Sequence, residues 1–328
     1  MKDIVSDSLF DIKKDLPILE ERFGIPPFSI LDTCQGYWRK RNSQWKKLGM
    51  RSELGRGDNL TFNIDFDIEK SKANHYGKAY DGLARDYGAR LNQTSIFDPV
   101  LCELVYTWFM PKDSNKVLDC FAGGSVRGIV ASVLGKEYTG IDLSESQIIE
   151  NRKQFVDIGN EYPSMPMKEV NWIVGDSLNI DKLVDDKYDL LFSCPPYYDL
   201  EVYSDNPNDL SNMGDYSEFL DIYTKIIAKS CALLKDNSFA VFVVGEIRDK
   251  KGALRNFVGD TVEAFKKAGM NYYNEIILVN TRGSLPVRVS LQFNGSRKIG
   301  KTHQNVLVFH KGDMKNIKER FGEVVVEN

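Results

Sequence analysis

Apolar runs of four to seven residues recur along the second two thirds of the chain, separated by longer stretches that repeat with helical spacing. The runs KVLDC (116–120), EYTGID (137–142), VNWIVG (170–175), YDLLFSC (188–194), SFAVFVV (238–244), NEIILVN (274–280) and NVLVFHK (305–311) read as strands. The first five are far enough apart for crossover connections. Helices are expected over 144–157, opened by the capping sequence Ser144-Glu145-Ser146-Gln147, and over 217–234 and 254–268. Strands alternating with helices in this way predict an α/β fold with a doubly wound, mostly parallel sheet. The last two strands are joined by TRGSLPVRVSLQFNGSRKIGKTH (281–303), too long for a hairpin and of a length that loops usually keep for function.

Residues 1–90 do not show the alternation. They are read as an N-terminal extension, residues 91–312 as the sheet domain and residues 313–328 as a tail. With 328 residues and 42% hydrophobic composition the chain can bury a full-sized core. Its polar start carries no signal-peptide pattern, and no apolar run approaches a membrane span, so a cytoplasmic location with no membrane partner is expected. The five cysteines are widely spaced and there is no histidine cluster, so free thiols and no metal are expected. The net charge of −4 hides an asymmetry. Residues 36–57 hold seven basic side chains against Glu53 alone, interleaved with Tyr37, Trp38 and Trp45, and residues 281–303 hold five with no acid. Basic segments on an otherwise acidic chain suit a polyanionic partner. They make Arg39, Lys40, Arg41, Lys46, Lys47, Arg51, Arg282, Arg288, Arg297, Lys298 and Lys301 candidates for nucleic-acid contact.

Four strand ends carry candidate chemistry. The first strand runs into Asp119-Cys120-Phe121-Ala122-Gly123-Gly124-Ser125, a glycine turn that lets backbone N–H groups approach a ligand at a helix start. The second ends in Asp142, 23 residues beyond Asp119, near the spacing at which a carboxylate meets ribose hydroxyls. The third presents Asp176. The fourth stops at Ser193-Cys194-Pro195-Pro196-Tyr197-Tyr198, where two prolines end both helix and sheet pairing. In a doubly wound sheet all four converge on the carboxyl edge, where such folds bind ligands.

VLDCFAGGSVRG, YTGID, VGDS and FSCPPYY together resemble the cofactor and catalytic motifs of S-adenosylmethionine-dependent DNA methyltransferases, in particular those that methylate adenine N6 or cytosine N4. The segment SIFDPVLCELVYTWFMP is similar to one that lies beside the methionine part of the cofactor in many of them, and the overall pattern is also similar to methylases encoded by bacteriophages. The resemblance covers about residues 93–312. It implies a Rossmann-like methyltransferase domain, S-adenosylmethionine as cofactor and S-adenosylhomocysteine as product, with DNA as partner and RNA as the nearest rival. It places Asp119 and the Gly123-Gly124 backbone near the methionine moiety, Asp142 on the ribose and Asp176 near the adenine amine, with Phe97, Phe121, Ala122, Ser125, Leu143 and Ser177 as further cofactor-binding residues. The short interval between glycine turn and proline corner leaves no recognition domain between them, so the target must be read by the N-terminal basic region, the segment after the corner or the 281–303 loop.

At the corner the family has Asp, Asn or Ser before Pro-Pro and an aromatic. The acceptor and the first proline carbonyl hold the amine of a flipped base, and the aromatic stacks on it. Cys194 departs from this pattern, because a thiol is a weak acceptor. Three readings compete. In one, the Pro195 carbonyl and a neighbour such as Ser193 hold the amine, Cys194 fills space, and Tyr197, after Pro196, stacks on the base. In another, Cys194 attacks cytosine C6 for methylation at C5, with Glu246 as partner to the ring. In the third the corner is structural, in a protein that binds nucleic acid without catalysis. Tyr197 and Tyr198 also have a plain reading as core aromatics, residues 199–216 read as a lid or a surface connection, and His303 as a phosphate contact or a strand cap.

Overall fold

The computed structural model describes residues 23–50, 97–198, 206, 208–281 and 285–324, apart from the side chains of 287 and 288. In chain order the principal elements are β1 (Ile30–Asp32), α1 (Gly36–Lys46), α2 (Pro99–Phe109), β2 (Lys116–Asp119), α3 (Val126–Val133), β3 (Glu137–Asp142), α4 (Glu145–Glu161), β4 (Val170–Val174), β5 (Tyr188–Ser193), α5 (Tyr216–Ala232), β6 (Leu234–Val244), α6 (Phe257–Lys267), β7 (Asn271–Val279), α7 (Leu285–Ser296) and β8 (His303–Lys311). The strands form one open sheet in the order β1-β7-β8-β6-β5-β2-β3-β4, in which β8 is antiparallel to both its neighbours and every other pairing is parallel. This is the doubly wound, mostly parallel sheet that the alternation predicts.

Helices cover both faces, so the central strands are apolar on both sides and read as continuous runs. All six residues of β5 are buried. One layer of core joins α1, α2, α3 and α4 to the sheet through Trp38, Leu104, Ile129 and Ile148, and the other joins α5 and α6 through Phe219, Tyr223, Phe257 and Phe265. At about 1.5–3 kcal/mol for each large apolar side chain removed from water, either layer outweighs any surface ion pair.

Strand β1, which the sequence pattern does not announce, adds to the sheet edge beside β7. Helix α1 then lies across α2: Trp38 Nε1 donates to Asp98 Oδ2 at 2.9 Å, Trp45 Nε1 to Glu103 Oε2 at 2.7 Å, and Arg41 makes a two-pronged pair with Glu103 at 2.9 and 2.6 Å. Both tryptophans and the ion pair are buried. The described part of residues 1–90 therefore packs against the sheet and α2. Two further differences concern the helices. The helix expected to reach 234 ends at Ala232, and β6 begins at Leu234; the 281–303 connection holds the twelve-residue α7.

Candidate active site at the switch point of the sheet

Sheet order runs outward from β2 through β3 to β4 in one direction and from β5 through β6 in the other. The crevice of an open α/β sheet lies where the order reverses, outside the carboxyl ends of the strands. Here that point falls between β2 and β5. The two connections that leave it are the glycine turn and the proline corner.

Asp119, at the end of β2, is fully buried, and its carboxylate is saturated. Oδ1 accepts from Ser193 Oγ at 2.6 Å and from Phe121 N–H at 3.1 Å; Oδ2 accepts from Arg127 Nε at 2.6 Å and Tyr138 Oη at 2.6 Å. Arg127 Nη2 also donates to the carbonyls of Phe121 and Ala122, at 2.6 and 3.0 Å. Burial opposes the charge on Arg127, but the adjoining carboxylate more than compensates and holds its pKa above the ordinary value. Asp119 is thus a hub that shapes the turn, its carboxylate oxygens engaged within the protein. Ser193 is engaged in the same way. Its Oγ donates to Asp119 and accepts from Phe121 N–H at 3.1 Å, so it does not face an amine.

The turn itself is open to a ligand. Phe121, Gly123 and Gly124 are half-buried, whereas Ala122 and Ser125 are buried. Gly123 has φ +50°, a conformation that favours glycine. Its N–H donates to Asp142 Oδ2 at 2.7 Å and its carbonyl accepts from Asn151 Nδ2 at 2.7 Å, while Ser125 Oγ donates to Gln154 Oε1 at 2.7 Å. The polar face of α4 that props up the turn was not recognised from sequence, although Gln147, Asn151 and Gln154 recur at helical spacing. Half-buried Asp142 also accepts from Ser144 N–H at 2.9 Å, and Leu143 beside it is half-buried. Asp176, half-buried at the end of β4, caps Leu178 N–H at 2.8 Å, and buried Ser177 donates to the Cys120 carbonyl at 2.5 Å. Phe97 lies under the guanidinium of Arg127, whose Cζ is 4.5 Å from the ring centroid, at the entrance to α2.

At the corner, Pro195 is buried, Pro196 and Cys194 are half-buried, and the Pro195 carbonyl accepts no hydrogen bond among the described residues. Tyr197 stands half-buried with its hydroxyl held at 3.0 Å by Gln304 Nε2 and 3.8 Å from Cys194 Sγ, and its ring edge-on to Phe257 at 6.0 Å. Gln304, from the far end of the chain, carries no sequence signal. Tyr198 takes the plain reading: buried, at φ +49°, it packs on Tyr216 and Phe219, with Arg255 stacked between the two tyrosines at 5.0 and 4.8 Å. Glu246, half-buried, accepts from Phe257 and Val258 N–H at 3.1 and 3.2 Å and caps α6. Burial pushes the Cys120 thiol up to about 12. Burial, helped by Lys301, pulls His303 below its ordinary value, so it is neutral at pH 7 and a poor phosphate ligand. Residues 199–205 of the expected lid lie outside the described residues.

Among the expected nucleic-acid contacts, Arg39, Lys40, Lys46, Lys47, Arg297 and Lys301 are exposed and Lys298 is half-buried. Arg41 is corrected: its buried pair with Glu103 removes it from any surface, and Trp38 and Trp45 belong to the core for the same reason. Arg51, Arg282 and the side chain of Arg288 lie outside the described residues. No group of metal-ligating side chains occurs among the described residues.

No protein-family model matches the chain, and no curated protein does. Solved structures do. TrmN of Thermus thermophilus shares 14% identity over 66% of this chain and 49% of its own, with a TM-score of 0.42. A TehB-like SAM-dependent methyltransferase of Corynebacterium glutamicum ATCC 13032 shares 18% over 71% and 97%, with a TM-score of 0.40. Magnesium protoporphyrin IX methyltransferase of Synechocystis PCC 6803, solved with bound SAM, shares 11% over 76% and 100%, with a TM-score of 0.39. The chain thus spans about half the length of TrmN. At such scores the likeness carries no functional argument, which rests on the residues at the switch point.

Proposed function

We propose that this chain is an S-adenosylmethionine-dependent methyltransferase acting on an exocyclic amine, adenine N6 or cytosine N4, of a base flipped out of DNA. The observation that carries the reading is the bolt between turn and corner: Ser193, the residue before Cys194, is tied to both the Asp119 carboxylate and the Phe121 N–H. A donor held in the glycine turn and an acceptor held at the corner are then fixed in mutual register, the positioning on which group transfer depends.

The residues fit the cofactor. Asp142 offers a half-exposed carboxylate for ribose hydroxyls, Asp176 a second for an adenine amine, and Gly123 and Gly124 a turn without side chains. When bound, S-adenosylmethionine supplies an electrophilic methyl group. The chain's own work is orientation. The Pro195 carbonyl, which accepts no hydrogen bond among the described residues, takes a hydrogen of the substrate amine and turns its lone pair outward, and it stabilises the positive charge that grows on that nitrogen. The Tyr197 ring, pinned by Gln304 and Phe257, gives the base a face to stack on. No strong base is required, because the methylated amine loses its proton readily to water. The cytosine C5 alternative would use Cys194 as nucleophile with Glu246 as a candidate partner to the ring, and the Glu246 carboxylate here already accepts two backbone N–H bonds at the start of α6.

Nucleoside mass spectrometry of unmodified DNA incubated with the protein and isotopically labelled S-adenosylmethionine tests the reading. N6-methyladenine or N4-methylcytosine is expected, and it persists in Cys194→Ser. A 5-methylcytosine product that vanishes in Cys194→Ser would establish nucleophilic catalysis instead. In a parallel incubation with RNA, label found there and not in DNA would transfer the reading to RNA, and binding without label in either would leave a non-catalytic module.

A further inference from the structure

The proposed function leaves α7 unused. Its first turns rest on the returning segment, where a Cβ on Gly300 would fall 2.8 Å from Leu285 and 3.0 Å from Val289. Beyond them, residues 290–297 are all exposed, including Leu291 at 64% and Phe293 at 44%, and Ile299 follows at 78%. A twelve-residue helix is marginal alone in water and is normally stabilised by burying one face. Here every residue of its outer half is exposed. Its place is set by the sheet. Strand β7 runs parallel to β1 and antiparallel to β8, so the 280–302 excursion leaves from the carboxyl edge that carries the glycine turn and the corner. Asn280 N–H donates to the Thr302 carbonyl at 2.8 Å to close its base, and Gln304, two residues on, holds Tyr197.

Charge decides what covers such a helix. Residues 281–303 contain five basic side chains and no acid, which favours a polyanion over the apolar face of a protein. Shape narrows it further. A helix about 10–12 Å across fits the B-DNA major groove, about 12 Å wide, and must be free on three sides to enter; the A-form RNA major groove is too narrow to be read this way. Ser290, Leu291 and Asn294 share, by helical periodicity, the side opposite Leu285 and Val289. Asparagine pairs with adenine, an apolar side chain meets the thymine methyl and serine bonds either type of base. Arg297, whose guanidinium lies 5.2 Å from the Phe293 ring centroid, and Lys298 follow at the groove wall.

We propose that α7 is the element that reads duplex DNA, seated in the major groove with Ser290, Leu291 and Asn294 toward the bases and Arg297 and Lys298 against phosphates. This rests on nucleic acid as the substrate of the proposed activity. Selection from a randomised B-DNA duplex pool, in the presence of S-adenosylhomocysteine and followed by sequencing, tests it. Wild type enriches a motif, and Ser290→Ala with Asn294→Ala lowers the preference about tenfold at one or two positions while affinity for the bulk pool changes less than about threefold. Arg297→Ala with Lys298→Ala weakens binding to every sequence and lowers the slope of log affinity against log salt by about 1.8, at about 0.9 per lost phosphate contact. An unchanged motif in the first variant, an unchanged slope in the second, or a wild type that enriches no motif or prefers RNA would overturn the assignment. Cofactor affinity is titrated separately without DNA. Its loss in wild type counts against the methyltransferase reading, whereas loss of DNA selectivity with cofactor affinity intact counts against the groove assignment.

Discussion

Asp119 and Asp142 end neighbouring strands, and the turn between them depends on both in different ways. Asp119 has four partners and no exposure, so Asp119→Ala leaves the Arg127 guanidinium buried without its counter-charge. Breaking a buried pair by removing one partner costs about 3–5 kcal/mol, against at most about 1 for exposed pairs such as Lys116 with Asp186. Urea denaturation of Asp119→Ala is expected to show a loss of that size, while Lys116→Ala changes stability by less than about 1 kcal/mol. Equal effects would contradict the hub. At this scale the sequence showed which residues gather at the strand ends but not their division of labour. The motif brings Asp119 to the turn, yet only the fold brings Arg127, Tyr138 and Ser193 onto its oxygens. Likewise Arg41 reads as one more cation in a basic run until Glu103, 62 positions away, is seen against it.

Between elements, α3 crosses β4 with almost no clearance. A Cβ on Gly128 would fall 2.6 Å from Cζ2 of Trp172, so Gly128→Ala must push the helix or the indole away. Overpacking of this kind costs about 1–3 kcal/mol. Gly159, inside α4, has nothing within 4 Å of the same position, so Gly159→Ala is expected to stabilise by about 0.5–1 kcal/mol. Thermal melts of the two variants should therefore shift in opposite directions, and a shared direction would contradict the packing described. The long, regularly spaced strands were legible because both faces are covered and their runs are continuous. Strand β1 was not, because three residues, with Ile30 exposed and Leu31 buried, carry no period. Helix α7 read as a loop because Pro286 and its β-branched residues mask the helical pattern, and no buried stripe marks its outer half.

Over the whole molecule, the sheet separates the carboxyl edge, where the glycine turn and the proline corner lie, from the opposite edge. His310 lies near the opposite edge, fully buried against Phe239 and Tyr273, where the Gly312 backbone works against the effect of burial. Burial lowers its pKa below 6.5 in the folded state, so it is folded in neutral form. Below pH 6.5 the unfolded chain takes up the proton first. The contribution is therefore full above pH 6.5 and is lost as pH falls from there through the lowered folded value. His310→Phe, which suits the aromatic surroundings, is expected to reduce the acid sensitivity of stability in that window relative to wild type; identical pH profiles would contradict this. Sheet order is a property of the whole that the alternation of strands and helices predicts only as a class, because the antiparallel insertion of β8 between β6 and β7 depends on pairings made after the chain has passed. That insertion carries Gln304 to Tyr197.

The central claim is that the turn after β2 and the carboxylate after β3 form a site for S-adenosylmethionine. Isothermal titration of the protein with S-adenosylhomocysteine, wild type against Asp142→Ala, tests it most directly. Two charge-assisted hydrogen bonds to ribose hydroxyls are worth about 1.5–3 kcal/mol each, so wild type is expected to bind and Asp142→Ala to bind at least about tenfold more weakly while remaining folded. A wild type that does not bind, or an Asp142→Ala variant of unchanged affinity, would contradict the account.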